Sequence, residues 1–268
     1  MNSDCPRNNA CHALKRTARR RVRREPPLRG ARNLSECREA ALPGRRPVSR
    51  AFQGMALRDQ LSMQQHLEEL HTPAPLAAYL GPSPWIDFGH PDIQDYLAAR
   101  PGGDRPEEEV IRADFEFVRD EVAHSWDIGS RRVTGRASEV LRHREGICYA
   151  KSHLLAALLR GRGIPAGICY QRLTLGDTPE SGYCVHALNA VWAAAAQRWI
   201  RLDARGNKPG VDAQFSLNEE RLAFAVRPDC GEVDYGVNHA APHPEITRAL
   251  GAHEDCRVLY AQGLPTGL

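Results

Sequence analysis

Up to residue 54 the chain has no helical or strand period. Arg, Pro and Ala dominate, as in Arg19-Arg20-Arg21-Val22-Arg23-Arg24-Glu25-Pro26-Pro27. Such a stretch cannot bury enough apolar surface to offset its ordering entropy, and disorder is expected. A helical pattern begins over 59–70. Tyr79 to Pro91 is broken by Pro and Gly around an apolar patch of Trp85, Ile86 and Phe88. Helices are predicted over 91–100, 106–124 and 135–143. In the second, Val110, Ile111, Ala113, Phe115, Phe117, Val118, Val122 and Ala123 form a broad stripe behind an acidic first turn. Thr134 is suited to N-cap the third. The clearest helix starts at Ile147, with Ala150, Leu154 and Leu158 on one face, widened by Leu155 and Leu159. Gly161 or Gly163 ends it, and Pro165 blocks continuation. The period then shortens to two. Strands are predicted over 167–174, 184–192 and 198–203, with a Pro- and Gly-containing hairpin connection at 177–182. Helices first, then antiparallel strands, predict an α+β fold. There is no internal repeat.

At 268 residues the chain can hold one substantial core. The expected organisation is an arm over 1–54 and one domain over 55–268, with a helical lobe 55–165 and a sheet lobe 166–268. The net charge of +3 is unevenly spread. Residues 1–50 carry 13 Arg and 1 Lys against 4 acids, leaving the rest net acidic. A disordered basic arm, or an over-long start with Met55 the true first residue, accounts for this. No aromatic side chains interleave with the arginines of the arm, so nucleic acid is not an expected partner. No apolar run approaches the ~20 residues of a membrane span, and no membrane partner is expected. The eight cysteines form no CxxC pair, and no apolar h-region follows the first arginines. Free thiols in a reducing cytoplasm are the expectation.

The chemistry concentrates at three residues. A thiol reacts as its thiolate, which a helix N-terminus and a neighbouring imidazolium both favour. Cys148 falls in the first turn of the helix that begins at Ile147, where unpaired N–H groups favour an anion. The Cys148 N–H is also placed to meet an oxyanion. Gly146 omits a side chain where a substrate backbone would approach. His186 lies on a strand whose alternation puts it on the face of Cys184, and Asp203 lies on the next. An acid beside the ring fixes its tautomer and favours its charged form. His153 is a poor alternative, roughly 140° around the helix axis from Cys148. Each residue also has a structural reading: a buried thiol, a core histidine, a polar turn. A zinc site from Cys148, Cys169, Cys184 and His186 lacks paired close spacing. Arg201, Arg205 and Lys208 read as paired or rim charges rather than a phosphate patch.

Three blocks carry these residues: GICYAKSHLLAALLRGRGIPAGICYQRL, YCVHALNAVW and RWIRLDARGNKPGVDAQFS. They resemble the core blocks of the transglutaminase-like superfamily, in its bacterial branch of candidate cysteine proteases. The segments YLGPSPWIDFGHPDI and FVRDEVAHSWDI resemble the same branch, and the resemblance spans roughly residues 75–260. It implies a papain-like fold with the nucleophile helix packed on an antiparallel sheet. It implies Cys148 as nucleophile, His186 as general base then acid, and Asp203 as orienter. It also implies an upstream second oxyanion donor, for which Trp126 is the candidate and Tyr149 a weaker one. The expected activity is hydrolysis of a peptide, protein or amide substrate through a thioester, without a cofactor or metal. The alternatives are an amine-accepting transglutaminase and a non-catalytic protein-binding domain. Loops 175–183 and 206–215 are expected to flank the cleft.

Overall fold

A computed structural model describes residues 70–176 and 178–268. The expected arm and, but for Leu70, the expected helix at 59–70 lie outside the described residues. Helix α1 (Pro91–Ala99) starts where Pro91 needs no N–H partner, and the His90 ring accepts from Asp92 N at 3.1 Å. Helix α2 (Glu107–Glu116) opens on three glutamates and buries Val110, Ile111 and Phe115. Its one buried acid, Asp114, is held by Arg162 at 2.6 and 3.0 Å.

The predicted helix over 106–124 stops short. Phe117–Glu121 widens into a π turn that keeps Phe117 and Val118 buried, and Val122 leaves it with extended dihedrals. Ala123–His124 then forms strand β1. The cause is a buried ammonium: Lys151 donates to the carbonyls of Val122 at 2.5 Å and Arg119 at 3.3 Å. These acceptors are the unpaired groups a helix end presents.

Helix α3 (Ala137–His143) begins later than predicted. Thr134 does not cap it, since its hydroxyl donates to the Glu145 carbonyl at 2.9 Å. Instead the Glu139 carboxylate accepts from the backbone of Gly135 and Arg136. Strand β2 (Glu145–Gly146) pairs in parallel with β1, with His124 opposite Gly146. Helix α4 (Cys148–Gly161) follows, and every residue from Cys148 to Arg160 is buried. It is therefore a central helix rather than a surface one with a single apolar face. Two of its polar side chains bond to backbone: His153 Nδ1 meets Gly135 O, and Arg160 bonds the carbonyls of Gly81, Ala166 and Ala240.

After Gly163, at φ 77°, the chain enters β3 (Ala166–Thr174), β4 (Tyr183–Ala193) and β5 (Arg198–Leu202). A short β6 (Val233–Asp234) completes an antiparallel sheet ordered β5-β4-β3-β6. Ile168, Tyr170, Val185, Ala187 and Val191 join α4 in the main core. Cys169, Leu188 and Ala190 form a second cluster, against which Leu222 packs. The fold is α+β, as the change of period predicts. Two C-terminal pieces carry no sequence expectation: α5 (Pro244–Gly251), and α6 (Cys256–Val258) running into a π turn at Leu259–Gly263. No helix of the described residues is long and apolar enough to cross a membrane.

Candidate active site

Cys148 is the first residue of α4, 8% exposed, on the wall of a cavity of about 500 Å³. His124, Trp126, Cys184, His186, Phe224 and Tyr260 share that wall. Gly146, two residues before the helix, is fixed from two sides. Ser125 N donates to Gly146 O, and a Cβ on Gly146 would meet the Thr134 hydroxyl at 3.0 Å and Ala150 Cβ at 3.2 Å. Gly146 is therefore needed for packing within the chain.

His186 comes from β4, in register with Gln171 of β3. Asp203 follows the last residue of β5 and is fully buried. His186 Nε2 lies 2.8 Å from Asp203 Oδ2. The same carboxylate accepts from the backbone N–H of Arg205 and of Ala223, both at 3.1 Å. Phe224 meets the imidazole edge-on, with centroids 5.1 Å apart. Burial opposes charge on both partners. For His186 it is outweighed by the Asp203 carboxylate, by Cys148 and by hydrogen bonds to both, and its pKa rises to about 10. For Asp203 it is outweighed by His186 and the two backbone donors, which hold it below the usual carboxylate range. Cys148 and His186 share the cavity wall and interact there. The three expected residues thus meet in one site.

The other candidates are distributed differently. Trp126 is 49% exposed at the cavity and stacks on Tyr260, centroids 4.3 Å apart. Tyr149 is committed elsewhere: its hydroxyl donates to Val185 O at 2.7 Å, tying the start of α4 to β4. Its proton is not free for an oxyanion. Cys169 is sealed in its apolar cluster away from the cavity wall. The described cysteines, Cys148, Cys169, Cys184, Cys230 and Cys256, are free thiols. Arg205 grips Asp127 through two bonds of 2.6 and 3.0 Å, and Lys208 adds a third at 2.9 Å. Burial raises Asp127, but these cations outweigh it and bring it to about 2. Arg201 pairs with Glu220 and Asp234. The three cations are structural pairs within the chain.

Both expected loops reach the cavity, through Leu175 and Gly176 and through Lys208 and Gly210. Three wall residues had no signal in the sequence. Phe224 follows a segment without period. His124 sits in what reads as a helix end. Tyr260 lies on the unforeseen C-terminal turn, its hydroxyl 3.4 Å from His124 Nε2.

The sequence profile of the Transglutaminase-like superfamily matches residues 95–204, which include Cys148, His186 and Asp203. No curated protein matches the chain. Among solved structures, a candidate cysteine protease from Cytophaga hutchinsonii is 22% identical, with a TM-score of 0.40, over 52% of this chain and 46% of that one. The periplasmic domain of TgpA from Pseudomonas aeruginosa, bound to ethylmercury, is 19% identical, with a TM-score of 0.32, over 47% and 46%. A TGase is 15% identical, with a TM-score of 0.34, over 69% and 49%. The match spans about half the length of each of these structures. By this profile match, residues 95–204, which carry Cys148, His186 and Asp203, are similar to the transglutaminase-like superfamily.

Proposed function

We propose that this chain is a cysteine-dependent acyl-transfer enzyme that hydrolyses peptide or amide bonds. The observation that carries the reading is the His186 ring, bonded through Nε2 to the buried Asp203 carboxylate and interacting with Cys148 at a cavity wall. A thiolate at Cys148 attacks the carbonyl, and the negative oxygen meets the Cys148 N–H at the start of α4. His186 gives its proton to the leaving amine, and a thioester remains. His186 then takes a proton from water, which attacks the thioester and frees the acid. An amine in place of water would give cross-linking. A test is intact-mass analysis after treatment with a thiol-directed electrophile. One adduct mapped to Cys148, absent from Cys148→Ala, supports the reading. No adduct, with no turnover of ester or amide probes, would leave a non-catalytic binding domain.

The pH response follows from the ring. The imidazolium, held up to about 10, keeps its proton well above the ordinary value of 6.5. Asp203, held low, keeps its charge down through the carboxylate range. The alkaline limb of kcat/KM is therefore expected near pH 10. A limb centred near 6.5 to 7 would contradict the imidazolium–carboxylate pairing. The profile is read with a substrate whose own ionisation lies outside that range.

A further inference from the structure

We propose that the Tyr260 hydroxyl is the second donor to the oxyanion formed at Cys148, and that His124 is the positioning residue that aims it. The proposal rests on the thioester reading above and adds a residue to it.

The register of β1 against β2 sets His124 opposite Gly146, two residues before the nucleophile. His124, Tyr260 and Cys148 line the same cavity. His124 is buried, and its Nε2 lies 3.4 Å from the Tyr260 hydroxyl. Its Nδ1 is buried without a hydrogen-bond partner, 3.9 Å from the Asp127 carboxylate. Among the described residues, the one hydrogen bond the ring makes is thus the one to Tyr260.

Tyr260 is fixed on its other side as well. Its ring stacks on Trp126 with an interplanar angle of 17°. The turn that carries it is anchored by buried Leu259 and by Cys256 N donating to Arg131 O at 2.8 Å. A phenol has one proton. When His124 carries its proton on Nε2, it donates to the phenolic oxygen, and the Tyr260 proton is left for the cavity. Burial and the nearby Arg205 guanidinium keep His124 neutral, so the ring directs the hydroxyl without adding a charge. The Trp126 indole, half exposed, sits in a wetter place, where a hydrogen bond to a developing charge is worth less.

The experiment compares two probes on the full chain. A peptide aldehyde binds Cys148 as a hemithioacetal and needs the oxyanion donors. Iodoacetamide alkylates the same sulfur and forms no oxyanion. Tyr260→Phe is expected to weaken aldehyde binding on the order of 100-fold, the scale of one lost oxyanion donor, with alkylation within about twofold of wild type. His124→Leu is expected to match it. His124→Gln, which keeps an N–H donor, is expected to restore most of the affinity. Unchanged aldehyde affinity in Tyr260→Phe would overturn the proposal. So would equal loss with both probes, which marks a structural role. A loss confined to Trp126→Phe would assign the hole to the indole instead. If wild type takes neither probe at Cys148, the thioester reading fails first, and the two failures are told apart.

Discussion

Cys148→Ser is expected to lower acyl transfer by a factor on the order of 10⁵ to 10⁶, the scale seen when a triad loses its nucleophile. The serine keeps the position at the start of α4 and nearly the volume, so the fold should persist. What it lacks is a group that ionises within reach of the imidazole. A hydroxyl at this position needs His186 to take its proton during attack, and it carries no charge of its own to pair with the imidazolium. The swap therefore removes the nucleophile and one of the two groups that hold up the proton of its partner. The measurement is turnover of a p-nitrophenyl ester and of a peptide amide, alongside circular dichroism to show an intact fold. A Ser variant within 100-fold of wild type would sink the assignment of Cys148.

Asp203→Asn is the second large effect, a loss of about 10³ to 10⁴ in kcat/KM. The carboxylate accepts three hydrogen bonds: His186 Nε2 and Ala223 N at one oxygen, Arg205 N at the other. An amide with its oxygen at the Oδ2 position keeps the His186 and Ala223 bonds but turns its NH₂ against the Arg205 N–H. Turned over, it keeps the Arg205 bond and sets NH₂ against two donors. Either way one N–H is opposed by another, and the carboxylate charge that holds the imidazolium is gone. The buried mismatch also costs about 1–3 kcal/mol of stability, visible as a lower urea midpoint. Because Cys148 is untouched, iodoacetamide should still reach it, only more slowly. An Asn variant within tenfold of wild type in kcat/KM would show that the carboxylate does not set the ring.

Much of this site was legible because its residues sit at the starts and ends of strongly patterned elements. Cys148 opens a run of apolar residues that could only be a helix, and the period change after Pro165 announced the sheet carrying His186. The packing role of Gly146 was not legible because the neighbours it makes room for in space, Thr134 and Ala150, do not adjoin it in sequence. The helix over 106–124 was over-extended for a similar reason. Its stripe continues through Val122 and Ala123, but the ammonium of Lys151, on another helix, takes the carbonyls and ends it. Tyr260 was invisible because a three-residue helix followed by a π turn has no period long enough to read.

That lysine also shapes how stability responds to alkali. Burial and the Arg205 guanidinium push Lys151 down to about 7 from an ordinary 10.5. The unfolded chain thus holds one more proton on Lys151 than the folded chain between those values, and stability gains as pH rises through them. His186 acts with the opposite sign. The folded chain holds its proton from 6.5 to about 10, so that contribution is complete below 6.5 and fades as alkali is added. The windows nearly coincide, so the two proton-linked slopes offset each other. An ion pair that would by itself make the fold fragile in base is matched by the buried Lys151 amine one helical turn along α4.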